Sequence, residues 1–277
     1  GDICAMTGET EWEAQPSRGE YYLLDKSSGN LVSHVIFQCP NKLGKGVLVS
    51  PTVHGNLIVG PNAVDVDAPD RRENTLAGMD FVAETSRRSV PSIDFRQSIR
   101  NFAGVRAHAD GDDFIIGEAA GASGFFDLAG ICSPGLSAAP AMAEYLVELL
   151  GEKGLELEKK ADFICQRRRI RFHELDGAEK AALVEQNPAY GRIVCRCETI
   201  SEGEILDALH SPIPPRSVDA VKRRCGPGMG RCQGGFCGPR GVELLCRELS
   251  LSPEQIVQDR AGTQMLFEET KGGGAHV

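Results

Sequence analysis

Four cysteines stand in two close pairs, Cys195-Arg196-Cys197 and Cys232-Gln-Gly-Gly-Phe-Cys237, separated by 34 residues. Four thiolates at the ends of a helix-sized insert are an address for structural zinc or for an iron–sulfur cluster, because both are held by sets of soft sulfur donors. Glycines crowd the second pair (Gly226, Gly228, Gly230, Gly234 and Gly235). Their small size lets backbone N–H groups approach sulfur, and such bonds raise the reduction potential of a cluster. A second detail also favours a [2Fe–2S] cluster over zinc. A [2Fe–2S] core with four thiolates is net negative, and Arg196, Lys222, Arg223, Arg224 and Arg231 lie close to the ligands in sequence. Cys225 falls just ahead of the glycine run and is read as a non-ligand. It joins Cys4, Cys39, Cys132, Cys165 and Cys246, which are scattered through apolar or helical contexts and are expected to be reduced and mostly buried.

The elements that must bring the two pairs together can be read between them. Ser201-Glu-Gly-Glu204 predicts a capping box opening a helix over 202–209, Pro212-Ile-Pro-Pro215 breaks it, and 217–224 predicts a second helix. Two short helices fold the chain back, so that both pairs can share one site. A third helix is expected over 241–249, and Ser252-Pro-Glu-Gln255 opens a last one. Residues 151–192 are charged, include Asn187-Pro188, and predict a connector with one short helix at 177–185.

Upstream, residues 1–13 read as the tail of a helix. Strands are predicted over 18–25, 31–38, 46–50, 56–60, 99–106 and 114–117, with a surface helix in 71–90 ending before Pro91. A strand over 124–130 then feeds through Ser133-Pro-Gly135 into an apolar helix over 139–150. The N-terminus of such a helix leaves backbone N–H groups for an anionic or electron-rich group. The fold class is therefore α+β, with a mostly antiparallel sheet and this strand-helix closing unit in residues 1–150, a linker at 151–192, and a small all-α domain at 193–277. With a net charge of −9, nucleic acid is not the expected partner. The run Arg167-Arg168-Arg169, with Arg171, reads as a solvated face or a docking patch. No apolar run approaches the roughly 20 residues that span a bilayer, and no signal peptide opens the chain. The expected setting is the cytoplasm, with any membrane association made through partner subunits.

Val194-Cys-Arg-Cys-Glu198 and Lys222-Arg-Arg-Cys-Gly-Pro-Gly-Met-Gly-Arg-Cys-Gln-Gly-Gly-Phe-Cys237 resemble the bacterioferritin-associated-ferredoxin-like [2Fe–2S] domain that ends several flavin dehydrogenases. Arg18-Gly-Glu-Tyr-Tyr-Leu-Leu-Asp-Lys26, Gly55-Asn-Leu-Ile-Val-Gly-Pro61, Phe102-Ala-Gly-Val-Arg-Ala107 and Leu128-Ala-Gly-Ile-Cys-Ser-Pro-Gly-Leu-Ser-Ala-Ala-Pro140 resemble the C-terminal half of D-amino-acid-oxidase-type FAD oxidoreductases. Their order is similar to that in the large subunits of anaerobic glycerol-3-phosphate dehydrogenases. The resemblance implies FAD against the turn formed by Gly130, Ile131, Ser133, Gly135, Leu136 and Ser137, with the following helix aimed at the flavin ring. It implies a cluster on Cys195, Cys197, Cys232 and Cys237. It further implies a small anionic substrate anchored by Arg106, with His54 and Arg18 as companions. This chain has Cys132 where the family usually has a polar residue.

No GxGxxG occurs in the sequence, and the strand-helix unit that cradles the FAD pyrophosphate is missing. The chain therefore reads as the C-terminal piece of a longer enzyme, inactive by itself. Two functions follow. One is a dehydrogenase piece, oxidising a small hydroxy or amino acid substrate, glycerol 3-phosphate first among them. It would pass electrons through flavin and cluster to an accepting partner subunit. The other is a non-catalytic, cluster- or zinc-bearing module that docks another subunit.

Overall fold

The computed structural model describes residues 2–8, 12–40, 46–109, 111, 113–166 and 169–268. They form two compact units, 1–164 and 165–277.

The first unit begins with a short helix α1 (Asp2–Met6) and the long strand β1 (Ala14–Leu24), followed by β2 (Leu48–Pro51), β3 (Leu57–Gly60) and β4 (Val64–Asp65). Helix α2 (Leu76–Ser89) and strand β5 (Ser98–Ala109) come next. β1 is the centre of an antiparallel sheet: β5 runs along one edge for its whole length, while β3 and β4 share the other. Leu24, Val49, Leu57, Val59 and Val82 form a fully buried core between sheet and α2. Thr75 caps α2 by accepting from the Gly78 N–H, and Met79, Val82 and Ser86 give it one buried stripe at helical spacing. The strand expected at 31–38 is reduced to a single bridge between Ile36 and Val49. Between the strands expected at 99–106 and 114–117, residues 110 and 112 lie outside the described residues.

Strands β6 (Ile115–Glu118) and β7 (Phe126–Ala129) form a separate hairpin, and β7 leads into α3 (Gly135–Glu152). α3 starts four residues earlier than expected. Pro140, its sixth residue, lies inside the helix and has no N–H to donate to the Leu136 carbonyl. Although α3 is apolar, Gly135 is its one fully buried residue.

The second unit starts within the expected connector. Phe172 and Tyr190 are buried, and Glu204 accepts from the Phe172 N–H, so 172–190 pack with the cysteine-bearing segment. Helix α4 (Gly177–Gln186) carries a capping box from Asp176. A two-stranded ribbon, β8 (Ile193–Cys195) and β9 (Ile200–Ser201), precedes α5 (Glu202–Leu209), α6 (Val218–Cys225) and α7 (Gly238–Leu249). The capping box of Ser201 and Glu204 is present. The expected last helix is only a 3-10 turn, Pro253–Gln255, because Ile256 is drawn into the core and Val257 bridges Ser217 and Gln264. Arg167 and Arg168 lie outside the described residues; Arg169 donates to the Arg224 carbonyl, and Arg171 pairs with Glu174 at 2.8 Å. No helix among the described residues is long and apolar enough to cross a membrane.

Candidate functional site: a paired-thiol centre and a flavin-side turn

The ribbon β8–β9 delivers Cys195 and Cys197, and the glycine loop between α6 and α7 delivers Cys232 and Cys237. Their sulfurs gather as two pairs. Cys197 and Cys232 lie 3.6 Å apart, and Cys195 and Cys237 are hydrogen-bonded to each other. Each pair joins one cysteine from each segment. Among the described residues, no three His, Cys, Asp or Glu side chains converge on a position for one metal ion. Zinc needs four ligands on a single ion. A [2Fe–2S] cluster has two irons and divides four thiolates between them, a division that a two-plus-two set suits.

Electrostatics within the pairs points the same way. Cys195 is lowered to about 6 because the Cys237 thiol donates to it, with further donation from the N–H groups of Gly228, Glu198 and Cys197. Cys237, as the donor, is pushed up, and burial adds to the rise. In the other pair Cys232 is lowered, first by the Phe236 N–H and then by the Cys197 thiol and the Gly234 N–H. For Cys197 the largest single influence, the Cys232 N–H, lowers it, but its donation to the Cys232 sulfur, its burial and the negative Cys232 and Cys195 sulfurs together push it up. Sulfurs supplied with such donors are prepared to hold negative charge, and metal loading would release the remaining thiol protons.

The glycines are required by this geometry. Gly228 and Gly234 adopt φ of +85° and +89°, and a Cβ on Gly230 would fall 2.3 Å from the Cys197 Cβ. Cys225 sits in the α6 core, donates its S–H to the Val221 carbonyl at 3.4 Å, and is pushed up to about 12 chiefly by burial. A thiol held in this way is inert. The scattered cysteines are less buried than expected: Cys4 and Cys225 are buried, but Cys39 and Cys165 are exposed and Cys132 and Cys246 are intermediate.

A feature not foreseen from sequence lies beneath the ligands. Glu202, first residue of α5, is 1% exposed and meets Arg192 (2.8 and 3.1 Å), Arg247 (3.0 Å) and Arg240 (3.3 Å). Arg192 is three residues before Cys195 and Arg240 three after Cys237, so one carboxylate ties both ligand-bearing segments to α5. These contacts hold it at about 2, the Arg192 hydrogen bonds contributing most. The sole local signal was the capping box, which singles out Glu204 instead.

In the first unit the structure does not bring Arg106, Arg18 and His54 together. Arg106 is paired across β1–β5 with Ser17, whereas Arg18 is paired with Val105, so alternation places the two arginines on opposite faces. Arg106 lies half-buried over Gly19, where a Cβ would come within 2.7 Å of its Nη2, and it donates to the Asn62 carbonyl at 2.9 Å. Tyr21 stacks on Phe102 on the same face, with centroids 5.0 Å apart. Asn62 is itself fixed: its Oδ1 accepts from the Glu20 N–H at 2.8 Å and its Nδ2 donates to Glu20 Oε2 at 2.6 Å. Arg18 is buried on the α2 side, paired with Glu73 at 2.7 Å, and its Nε has no partner. His54 is exposed in the β2–β3 turn, near the Leu24 end of β1. Seven residues of strand separate Leu24 from Ser17, roughly 23 Å.

Gly130, Ile131, Ser133, Gly135, Leu136 and Ser137 form one continuous turn from β7 into α3. Gly130 has φ +62° with Ala109 packed against it, and a Cβ on Gly135 would meet Ile131 Cγ2 at 2.5 Å. No side chain caps α3, and Leu136 and Ser137 are exposed. The Gly135 N–H donates to the Cys132 carbonyl and the Ser137 N–H to the Pro134 carbonyl, which leaves the Leu136 N–H and the positive end of the α3 dipole for an electron-rich edge such as that of a flavin ring, and the residues present fit that part of an FAD site.

The model of the "FAD dependent oxidoreductase" family matches residues 2–149, and that of the "BFD-like [2Fe-2S] binding domain" matches residues 193–247. A glycerol 3-phosphate dehydrogenase from Caloramator mitchellensis is 51% identical over 267 residues, covering 96% of this chain and 56% of that protein. A solved dithionite-reduced L-alpha-glycerophosphate oxidase from Mycoplasma pneumoniae, with FAD bound, is 32% identical at a TM-score of 0.51. It covers 58% of this chain and 42% of that one. One subunit of the anaerobic glycerol-3-phosphate dehydrogenase from Haemophilus influenzae is 23% identical over 87% of this chain and 47% of that protein. The chain thus spans about half the length of the curated relatives it matches. It belongs to the FAD-dependent oxidoreductase family, and its oxidoreductase portion is followed by a BFD-like [2Fe–2S] domain.

Proposed function

We propose that the protein to which this chain belongs oxidises glycerol 3-phosphate and passes the electrons through the four-cysteine centre to a partner subunit. The observation that carries this is the 51% identity, along 96% of the chain, to a glycerol 3-phosphate dehydrogenase. The Haemophilus relative, itself one subunit of its enzyme by name, supports the partner. FAD supplies hydride acceptance and the cluster supplies one-electron transfer.

This chain's residues bind and orient. The planar Arg106 fork pairs with two oxygens of a phosphate or carboxylate, and its bond to the Asn62 carbonyl fixes the direction in which it points. Of the three candidates, Arg106 is the one the geometry supports as the anchor. Arg18 serves the α2 junction through Glu73, and His54 stands at the other end of the sheet. The uncapped first turn of α3 favours negative charge on the ring edge beside it. Cys195 with Cys237 and Cys197 with Cys232 would each take one iron.

The test is anaerobic addition of glycerol 3-phosphate to the protein expressed from the complete reading frame, watching flavin absorbance. Glycerol 3-phosphate should bleach it and glycerol should not; equal bleaching by both would refute anion anchoring. Cys232→Ser should leave bleaching intact while blocking electron exit, and loss of bleaching would refute the relay role of the cluster.

A further inference from the structure

The paired-thiol centre has a closed side and an open side. Cys195 and Cys237 are buried, whereas Cys197 is exposed and Cys232 partly so. Phe236 stands at the open side. Its backbone N–H is committed to the Cys232 sulfur, yet its side chain is 86% exposed, and Met229 in the same loop is 47% exposed. A single exposed apolar residue needs no explanation. Here two of them share a loop that is pinned to a redox ligand and held by Gln233 bonds to the Met229 and Gly230 carbonyls.

The charge around them is one-sided. In a chain of net charge −9, residues 222–240 contain five arginines and lysines and no aspartate or glutamate. Some are engaged within the unit: Arg223 with Asp259, and Arg240 with Glu202 and Glu243. Arg196 and Arg231 are both exposed, Arg196 between Cys195 and Cys197 and Arg231 beside Cys232. Glu198 is the acidic residue in the adjoining turn.

We propose that Phe236 and Met229, flanked by Arg196 and Arg231 at the Cys197–Cys232 pair, form the docking surface for an acidic one-electron carrier protein. The inference rests on reading the cluster as the exit of the electron path. An aromatic anchor within a ring of charge is the common design of a transient interface, with the cations steering the encounter and the apolar centre holding it. One electron leaves the reduced cluster and one enters the acceptor; no bond forms or breaks and no proton moves.

The test uses the full chain with its cluster reconstituted. Ferricyanide, an anion, and hexaamminecobalt(III), a cation, serve as oxidants of the dithionite-reduced protein in stopped flow. Oxidised flavodoxin, an acidic flavoprotein, serves as the docking probe in a calorimetric titration. The ferricyanide rate should fall with ionic strength, and the double variant Arg196→Glu/Arg231→Glu should slow it about tenfold while speeding the cobalt reaction. Phe236→Ala should leave both inorganic rates unchanged and weaken flavodoxin binding about tenfold. Insensitivity of both oxidants to charge reversal, or flavodoxin binding that is absent or unmoved by these variants, would overturn the docking surface alone. A reconstituted protein without iron and sulfide would overturn the electron-exit reading together with it.

Discussion

Replacing Glu202 by Gln removes one charge and keeps the shape of the side chain. The carboxylate is 1% exposed, while Arg192, Arg240 and Arg247 are 54%, 38% and 47% exposed. A glutamate held from 4.5 down to about 2 stores roughly 3 kcal/mol by linkage. Screening at half-exposed arginines cuts this to about 2 kcal/mol, and the arginines released by the substitution turn to water and are not left buried. The folded pKa is depressed, so the stabilisation is complete above the unfolded value and is lost as pH falls from about 4.5 toward 2. The assay is urea unfolding of the cluster-loaded chain, read by visible circular dichroism of the cluster. Trp12, the sole tryptophan, lies in the other unit and reports separately by fluorescence. With a slope of about 1.5 kcal/mol/M, the cluster midpoint should fall by about 1.3 M at pH 7 while the tryptophan midpoint stays. The deficit should shrink steadily as pH drops below 4.5. A shift under about 0.3 M, or a deficit that is the same at pH 7 and pH 3.5, would show that the three arginines do not hold this carboxylate in the way described.

Cys225→Ala should retain two irons and two sulfides per chain with unchanged visible absorbance, since the thiol is spent on the Val221 carbonyl; loss of iron would make it a ligand. Gly230→Ala places a methyl 2.3 Å from the Cys197 Cβ and should reduce iron loading severalfold while helix content by far-ultraviolet circular dichroism is kept. Arg106→Lys in the complete protein loses the paired fork and should raise the KM for glycerol 3-phosphate about ten- to a hundredfold in steady-state assays, with a smaller effect on kcat. Residues 1–277 alone should bind FAD more weakly than micromolar, because no GxGxxG cradle for the pyrophosphate is in the sequence; tighter binding in a fluorescence titration would show that the β7–α3 turn suffices.

How much of this could be read beforehand depended on the range of the interaction. Helix α5 was legible to the residue because Ser201 and Glu204 carry its start within four positions and Pro212 follows its end. The ligand cysteines were legible because CxC and its glycine-rich partner are local patterns. The way the thiols pair was not. Cys195 with Cys237 and Cys197 with Cys232 follows from the antiparallel return of the chain through α5 and α6, which no local spacing encodes. The same reason hid Glu202, whose partners lie 10, 38 and 45 residues away.

The substrate-side arginines show the limit most sharply. Arg18 and Arg106 each sit in a family-like run, and each looks like an anion ligand. Only the β1–β5 register decides between them, since a slip of one residue would put both on one face. Gly19 and Gly104 stand opposite each other in that register and open the space into which Arg106 extends. Glu20, pointing the other way, anchors Asn62 and the start of α2. The strand thus separates its two tasks by parity. Ser17, Gly19 and Tyr21 shape the face that presents Arg106, while Arg18 and Glu20 secure the helix behind it. A glutamate or arginine moved by one position along β1 would be lost to both.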